Sequence, residues 1–158
     1  MTSELKQEYT RKITQANKTR LIVILYEMLL EYTGEAKQAY EKENRTDFRE
    51  AIRKARGCLN ELMASLHFEY EPAMNLLQLY LFINRQLALA DIKNSKTELD
   101  SVEMVIKKLH AAYLQVSLQD ASPAVMENTQ AVYAGLTYGK TKLTESLNNQ
   151  GSNRGFCI

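Results

Sequence analysis

Leu21-Ile-Val-Ile-Leu-Tyr-Glu-Met-Leu-Leu30 holds nine apolar or aromatic side chains and a single charge, Glu27. A surface helix needs an apolar stripe on about one face only. This stretch is apolar nearly all round, yet far short of the roughly 20 such residues that span a bilayer. It therefore reads as the first turns of a central helix, wrapped by other elements or holding surface for a partner.

Working outward, Asn17 is a favoured N-cap, so this helix is predicted from Asn17 to about Lys42. Leu21, Leu25, Met28, Tyr32, Ala36 and Ala39 recur at spacings of three and four, with Ile22, Tyr26 and Leu29 beside them. Glu27 is expected on the exposed edge. Gly34 is expected to let a neighbouring helix come close, and Gly57 and Cys58 to do the same in the next helix. That second helix is predicted to start at Thr46 or Asp47, with Asp47 and Glu50 as a capping box. Its stripe is Phe48, Ile52, Ala55, Leu59, Leu62 and Leu66, broadened by Met63. Arg49, Arg53, Lys54 and Arg56 read as a solvated face.

Pro72 suits the first turn of a third helix, ending near Lys93-Asn94. Ala73, Leu76, Tyr80, Ile83, Leu87 and Ala90 form one stripe, and Leu79, Phe82 and Leu89 form a second. Ser95-Lys-Thr-Glu98 has the form of a capping box opening a fourth helix. Leu99, Val102, Ile106, Leu109, Tyr113 and Val116 carry it to about Gln119. Four helices of similar length joined by short turns imply antiparallel neighbours. The fold class is all-α: an antiparallel up-down four-helix bundle over residues 17–119. Its core suffices to offset chain entropy if some two dozen large apolar groups are buried, at about 1.5–3 kcal/mol each.

Residues 1–16 are polar, with Leu5, Tyr9 and Ile13 as isolated apolar points. They read as a frayed tail, a weak helical turn or a strap on the bundle. Residues 120–158 form a C-terminal extension. Ser122-Pro123 can open a short extra helix, and Val132, Tyr133, Leu136 and Tyr138 carry more apolar content than a solvated linker. Residues beyond about Leu147 are expected to be disordered.

Composition narrows the function. Lys and Arg number 20 and Asp and Glu 19, interleaved, for a formal net charge of +1. A nucleic-acid binder shows a basic face, so no nucleic-acid partner is expected. No stretch predicts membrane insertion, and the polar N-terminus, unlike a signal peptide, implies the cytosol. Two cysteines make no disulfide framework. Bundle di-iron sites use Glu-x-x-His, but Ala64 and Lys107 stand three residues before His67 and His110, the two histidines. No metal site, cofactor or catalytic residue is expected, and the chain reads as no enzyme. The apolar surplus on the first and third helices then marks either a protein-binding surface or a larger core.

Particular residues narrow the choice. Gln15-Ala-Asn-Lys-Thr-Arg-Leu-Ile-Val-Ile-Leu-Tyr-Glu27 resembles the first-helix signature of FliS, the flagellin export chaperone family. Lys54-Ala55 with Glu61-Leu62 and Ser65-Leu66, then Asn75-Leu76, Leu79-Tyr80 and Arg85-Gln-Leu87, resemble its second and third helices. Ala90-Asp-Ile-Lys-Asn94, and Leu99, Val102 and Glu103 leading to Ala112-Tyr113, continue the match in one register. Gln15, Asn17 and Lys18 depart from the family's Thr, Ser and Pro, and Tyr113 from its usual Trp.

The resemblance implies a cytosolic chaperone that binds the C-terminal segment of flagellin, prevents premature polymerisation and delivers the client to the flagellar type III export gate. A structural helical adaptor without an export role is the alternative. On this reading Ile52, Leu59, Met63, Leu79, Phe82 and Leu109 are the candidate walls of the flagellin groove. Tyr9 and Ile13 resemble the family's N-terminal strap.

Overall fold

A computed structural model of the chain describes residues 1–126. Among these, five helices appear and no strand: α1 Ser3–Gln15, α2 Lys18–Glu41, α3 Arg45–Ala64, α4 Pro72–Lys93 and α5 Thr97–Gln119. The all-helical reading is thus met. Residues Met1–Val125 form one compact unit.

Helix ends follow local chemistry. The Asn17 side chain accepts from the Arg20 N–H at 2.9 Å and opens α2. Pro72 is the first residue of α4. At its far end Asn94 is left-handed (φ 51°) and returns its N–H to the Ala90 carbonyl, a closure that Asn tolerates better than most side chains. Two start signals differ from expectation. Asn44, rather than Thr46 or Asp47, caps α3, accepting from the Asp47 N–H at 3.0 Å. Both residue types cap well, and Asn44 lies one turn earlier, directly after the left-handed Glu43. Ser95 lies outside α5 and accepts from the Thr97 N–H at 3.3 Å, one residue short of the capping-box partner.

Central α2 packs against α1, α3 and α5, which accounts for its apolar girth. Val23, Ile24, Tyr26 and Leu29 are fully buried, while Leu21, Leu25 and Met28 of the expected stripe are half-buried at its edges. Thr33 is also buried, its hydroxyl donating to the Leu29 carbonyl at 2.7 Å.

Side-chain pairs give the helix directions. Thr19 bonds Asp120, Glu27 meets His110 and Lys37 meets Glu103, so α2 and α5 run oppositely. Arg45 meets Asp91 while Arg56 meets Asn84, so α3 and α4 do too. Glu27 is not on an open edge: it lies between Lys12 of α1 (3.8 Å) and His110 of α5 (3.4 Å). A Cβ built on Gly34 or Gly57 meets nothing within 4 Å, so neither glycine serves close helix packing.

The N-terminal stretch is a full 13-residue helix. Thr2 caps it, accepting from the Leu5 N–H at 3.3 Å. Tyr9 and Ala16 form a small cluster with Ile24, flanked by Leu5, Ile13, Leu21 and Met28. The Met1 ammonium pairs with Glu35, and Lys12 lies over the Tyr9 ring. Residues 120–126 form no helix. The rest of the expected extra helix, Val132, Tyr133, Leu136, Tyr138 and the expected disordered end lie outside the described residues.

Candidate functional site

α4 is the helix whose apolar content exceeds what the core takes up. Ala73, Tyr80, Ile83, Leu87 and Ala90 are buried, a stripe at spacings of seven, three, four and three that faces the other helices. Tyr80 is anchored further by its hydroxyl, 2.5 Å from that of Tyr26. Its phenol is pushed up to about 12, mainly by burial. The apolar residues left over are on show: Met74, Leu79, Leu81, Phe82 and Ile92 are exposed by 53%, 38%, 48%, 37% and 78%. Isolated exposed apolar groups are ordinary, but five on one helix, with Leu79, Leu81 and Phe82 within one turn, make α4 the candidate interaction surface.

The direction of this surplus follows from what each flank of α4 touches. Asn84 and Asp91 turn toward the arginines of α3. Leu79, Phe82 and Leu89, spaced by three and seven, occupy the opposite flank, toward α5, which packs beside α4. On α5, Glu103 and His110 turn toward α2. The opposite flank carries Val105, Leu109 and Val116 at spacings of four and seven, facing α4. Val116 is 49% exposed, and Leu89, Val105 and Leu109 are half-buried. By helical spacing, these two flanks lie on the sides of α4 and α5 that neighbour each other along the α4–α5 seam.

The six expected groove residues divide over this geometry. Leu79 and Phe82 are exposed on α4, and Leu109 lies across the seam on α5, packed at the edge of the core. Met63, near the end of α3, is half-buried against the core. Ile52 and Leu59 are 2% and 0% exposed and belong to the core. Their stripe on α3, with Phe48, Ala55 and Leu62, is the face that packs on α2, so in this conformation they offer no surface. Tyr9 is buried and Ile13 half-buried on α2. Burial, then the nearby carboxylates of Glu31, Glu27 and Glu8, pushes the Tyr9 phenol up to about 12.

Met74, Leu81 and Ile92 carried no expectation from the sequence, and Val116, expected on the buried stripe of the last helix, is 49% exposed because it lies in the last turn of α5, beyond the last buried residue, Ile106. Met74 and Leu81 stand inside the apolar run of α4, and their sevenfold spacing was a usable signal. Exposed Phe68 and Tyr70, in the connection before α4, carried no such periodicity.

Other features take no part in the seam. A cleft of about 450 Å3 is lined by Tyr40, Arg45, Phe48 and Asn94 among others. It lies where the α2–α3 turn meets the end of α4. Among the described residues no three His, Cys, Asp or Glu side chains gather to hold a metal ion, and no helix is long and apolar enough to cross a membrane.

No match is found among curated proteins. The family model described as flagellar protein FliS matches residues 1–120, a span that takes in all five helices. The chain belongs to the FliS family of flagellar secretion chaperones.

Proposed function

We propose that this chain holds the C-terminal segment of flagellin in the cytosol, suppresses its premature polymerisation and hands it to a component of the flagellar export gate. The observation that carries the reading is the run of exposed apolar residues on α4, Leu79 and Phe82 above all, beside the α5 flank. In this reading α2–α5 act as an antiparallel four-helix bundle and α1 as the strap. Leu79, Phe82 and Leu109 line the client groove, with Met63 on α3 met where the client wraps past α4 and with Ile52 and Leu59 supporting the bundle from the core.

The chemistry suits such a client. A disordered segment can cover a long apolar strip by folding into helices upon it. The ordering cost keeps net affinity modest, which favours release at the gate. Binding therefore requires neither catalysis nor a cofactor.

Leu79→Glu and Phe82→Glu test the site by titration calorimetry against a flagellin C-terminal peptide. Each variant should stay folded and lose at least about tenfold in affinity, as truncating an interface anchor does. Met104→Glu, on an exposed part of α5 away from the seam, should bind as the parent does. Unchanged affinity in folded Leu79→Glu and Phe82→Glu proteins would remove the strip from the client site.

A further inference from the structure

α1 is the least secured helix of the five. Among the described helices it packs on α2, and its only buried side chains are Tyr9 and Thr14. A helix of 13 residues is marginal by itself in water. Its attachment therefore depends on a few contacts, and one of these, at its C-cap, comes from the segment after α5, which also bonds the first turn of α2. After α5 the backbone turns back across the α1–α2 joint. The Val125 N–H donates to the Ala16 carbonyl at 3.0 Å. The Asn17 side-chain amide donates to the carbonyls of Asp120 and Ser122, each at 3.3 Å. The Thr19 hydroxyl donates to the Asp120 carboxylate at 2.6 Å. That carboxylate also receives the Ser122 N–H at 2.9 Å and the Ser122 hydroxyl, so the turn at 120–122 is shaped to present it.

We infer that residues 120–125 are a latch that holds the C-terminal end of α1 on α2, with Asp120 as its positioning residue. Every latch bond lands on residues 16–19, the joint from which α1 departs. Ala16 is the C-cap of α1, and Asn17 and Thr19 fix the start of α2. With the latch closed, the joint cannot swing and Tyr9 and Ile13 stay seated over Leu21, Ile24 and Met28. With it open, α1 keeps the Met1 contacts with Glu35 and with the Tyr32 hydroxyl, the Lys12–Glu27 pair and its small apolar cluster. Linkage is reciprocal, so loosening α1 must also loosen the latch. The C-terminal exit of the bundle and the cover on α2 thereby form one cooperative unit of low local stability. A pull on the chain beyond residue 125 would uncover the Ile24 face.

Amide hydrogen exchange on the full-length protein tests this. Asp120→Ala and, separately, Thr19→Val should each speed exchange of the α1 amides from Tyr9 to Gln15 by about tenfold, the equivalent of one charge-assisted hydrogen bond. Amides of the α3 and α4 interior, such as Leu59 and Ile83, should keep the parent rate. Ile13→Asp, which loosens α1 directly, should speed exchange of the Val125 amide. The proposal is overturned if α1 exchange stays within twofold of the parent in both latch variants, or if all helices accelerate together, since the effect is then general destabilisation. It is also overturned if the Val125 amide ignores Ile13→Asp.

Discussion

The hydroxyls of Tyr26 and Tyr80 lie 2.5 Å apart in the core, joining α2 to α4, and both residues are fully buried. Burial first, then the neighbouring Tyr80 phenol and the hydrogen bond to it, raise the Tyr26 phenol. The pair positions the helix that carries the exposed strip, because it fixes α4 against the central helix by a directional contact. Tyr26→Phe strands the Tyr80 hydroxyl without its partner and should cost about 1–3 kcal/mol in urea unfolding. The Tyr26→Phe/Tyr80→Phe double variant should recover part of that loss, since no unpaired hydroxyl remains. Additive losses would show that the two hydroxyls do not depend on each other.

Core and strip should differ sharply in what they cost to alter. Leu87→Ala empties space in the buried stripe of α4 and should destabilise by about 2–5 kcal/mol. Leu79→Ala, eight residues earlier on the exposed flank, should cost about 1 kcal/mol or less. Chemical denaturation of both proteins checks the contrast, and equal costs would place Leu79 in the core.

Gly34 and Gly57 sit in the interiors of α2 and α3 with open space where a Cβ would go. Gly34→Ala and Gly57→Ala should each stabilise by about 0.5–1 kcal/mol, the difference in helix propensity. A loss of stability on thermal unfolding would mean that a partner helix approaches there.

Lys37 bridges α2 to α5 through Glu103 and through Asp100 at 2.7 Å. Hydrogen bonds from Lys107 and then Lys37 hold the Glu103 carboxyl below its ordinary value of 4.5. A depressed carboxylate stabilises the fold above its unfolded pKa, and that contribution disappears as pH falls through the folded value. Glu103→Gln should therefore cost up to about 1 kcal/mol near pH 7, given its partial exposure. It should cost progressively less as the pH is lowered below 4.5. Urea unfolding at pH 7 and pH 3 measures the difference, and a pH-independent cost would exclude the ion pair as its source.

Much of this architecture was legible because helix signals are local. Asn17 and Pro72 mark helix starts by their own side-chain chemistry, and the spacing of Phe48, Ile52, Ala55, Leu59 and Leu62 identifies the buried face of α3. What was not legible is which apolar residues remain uncovered. Ile52 and Leu79 are both aliphatic residues on helical stripes, yet one faces α2 and the other solvent. The difference lies in where the neighbouring helix stands, which periodicity along one helix does not encode. α1 was ambiguous because Leu5, Tyr9 and Ile13 are few, and its polar ties come from Glu27, Glu35 and residues near Asp120, all distant in sequence. Asn44 was missed because Asp47 and Glu50 match the capping template equally well one turn later.

We propose that flagellin's C-terminal segment is held on the exposed apolar residues of α4 beside α5. The most direct measurement is titration calorimetry of the full-length protein with that peptide at several temperatures, followed by circular dichroism of the mixture. Binding should be saturable with a negative heat-capacity change, from apolar burial, and the mixture should hold more helix than the two components summed. A folded protein that gives no heat and no added helix with the peptide would contradict the proposal.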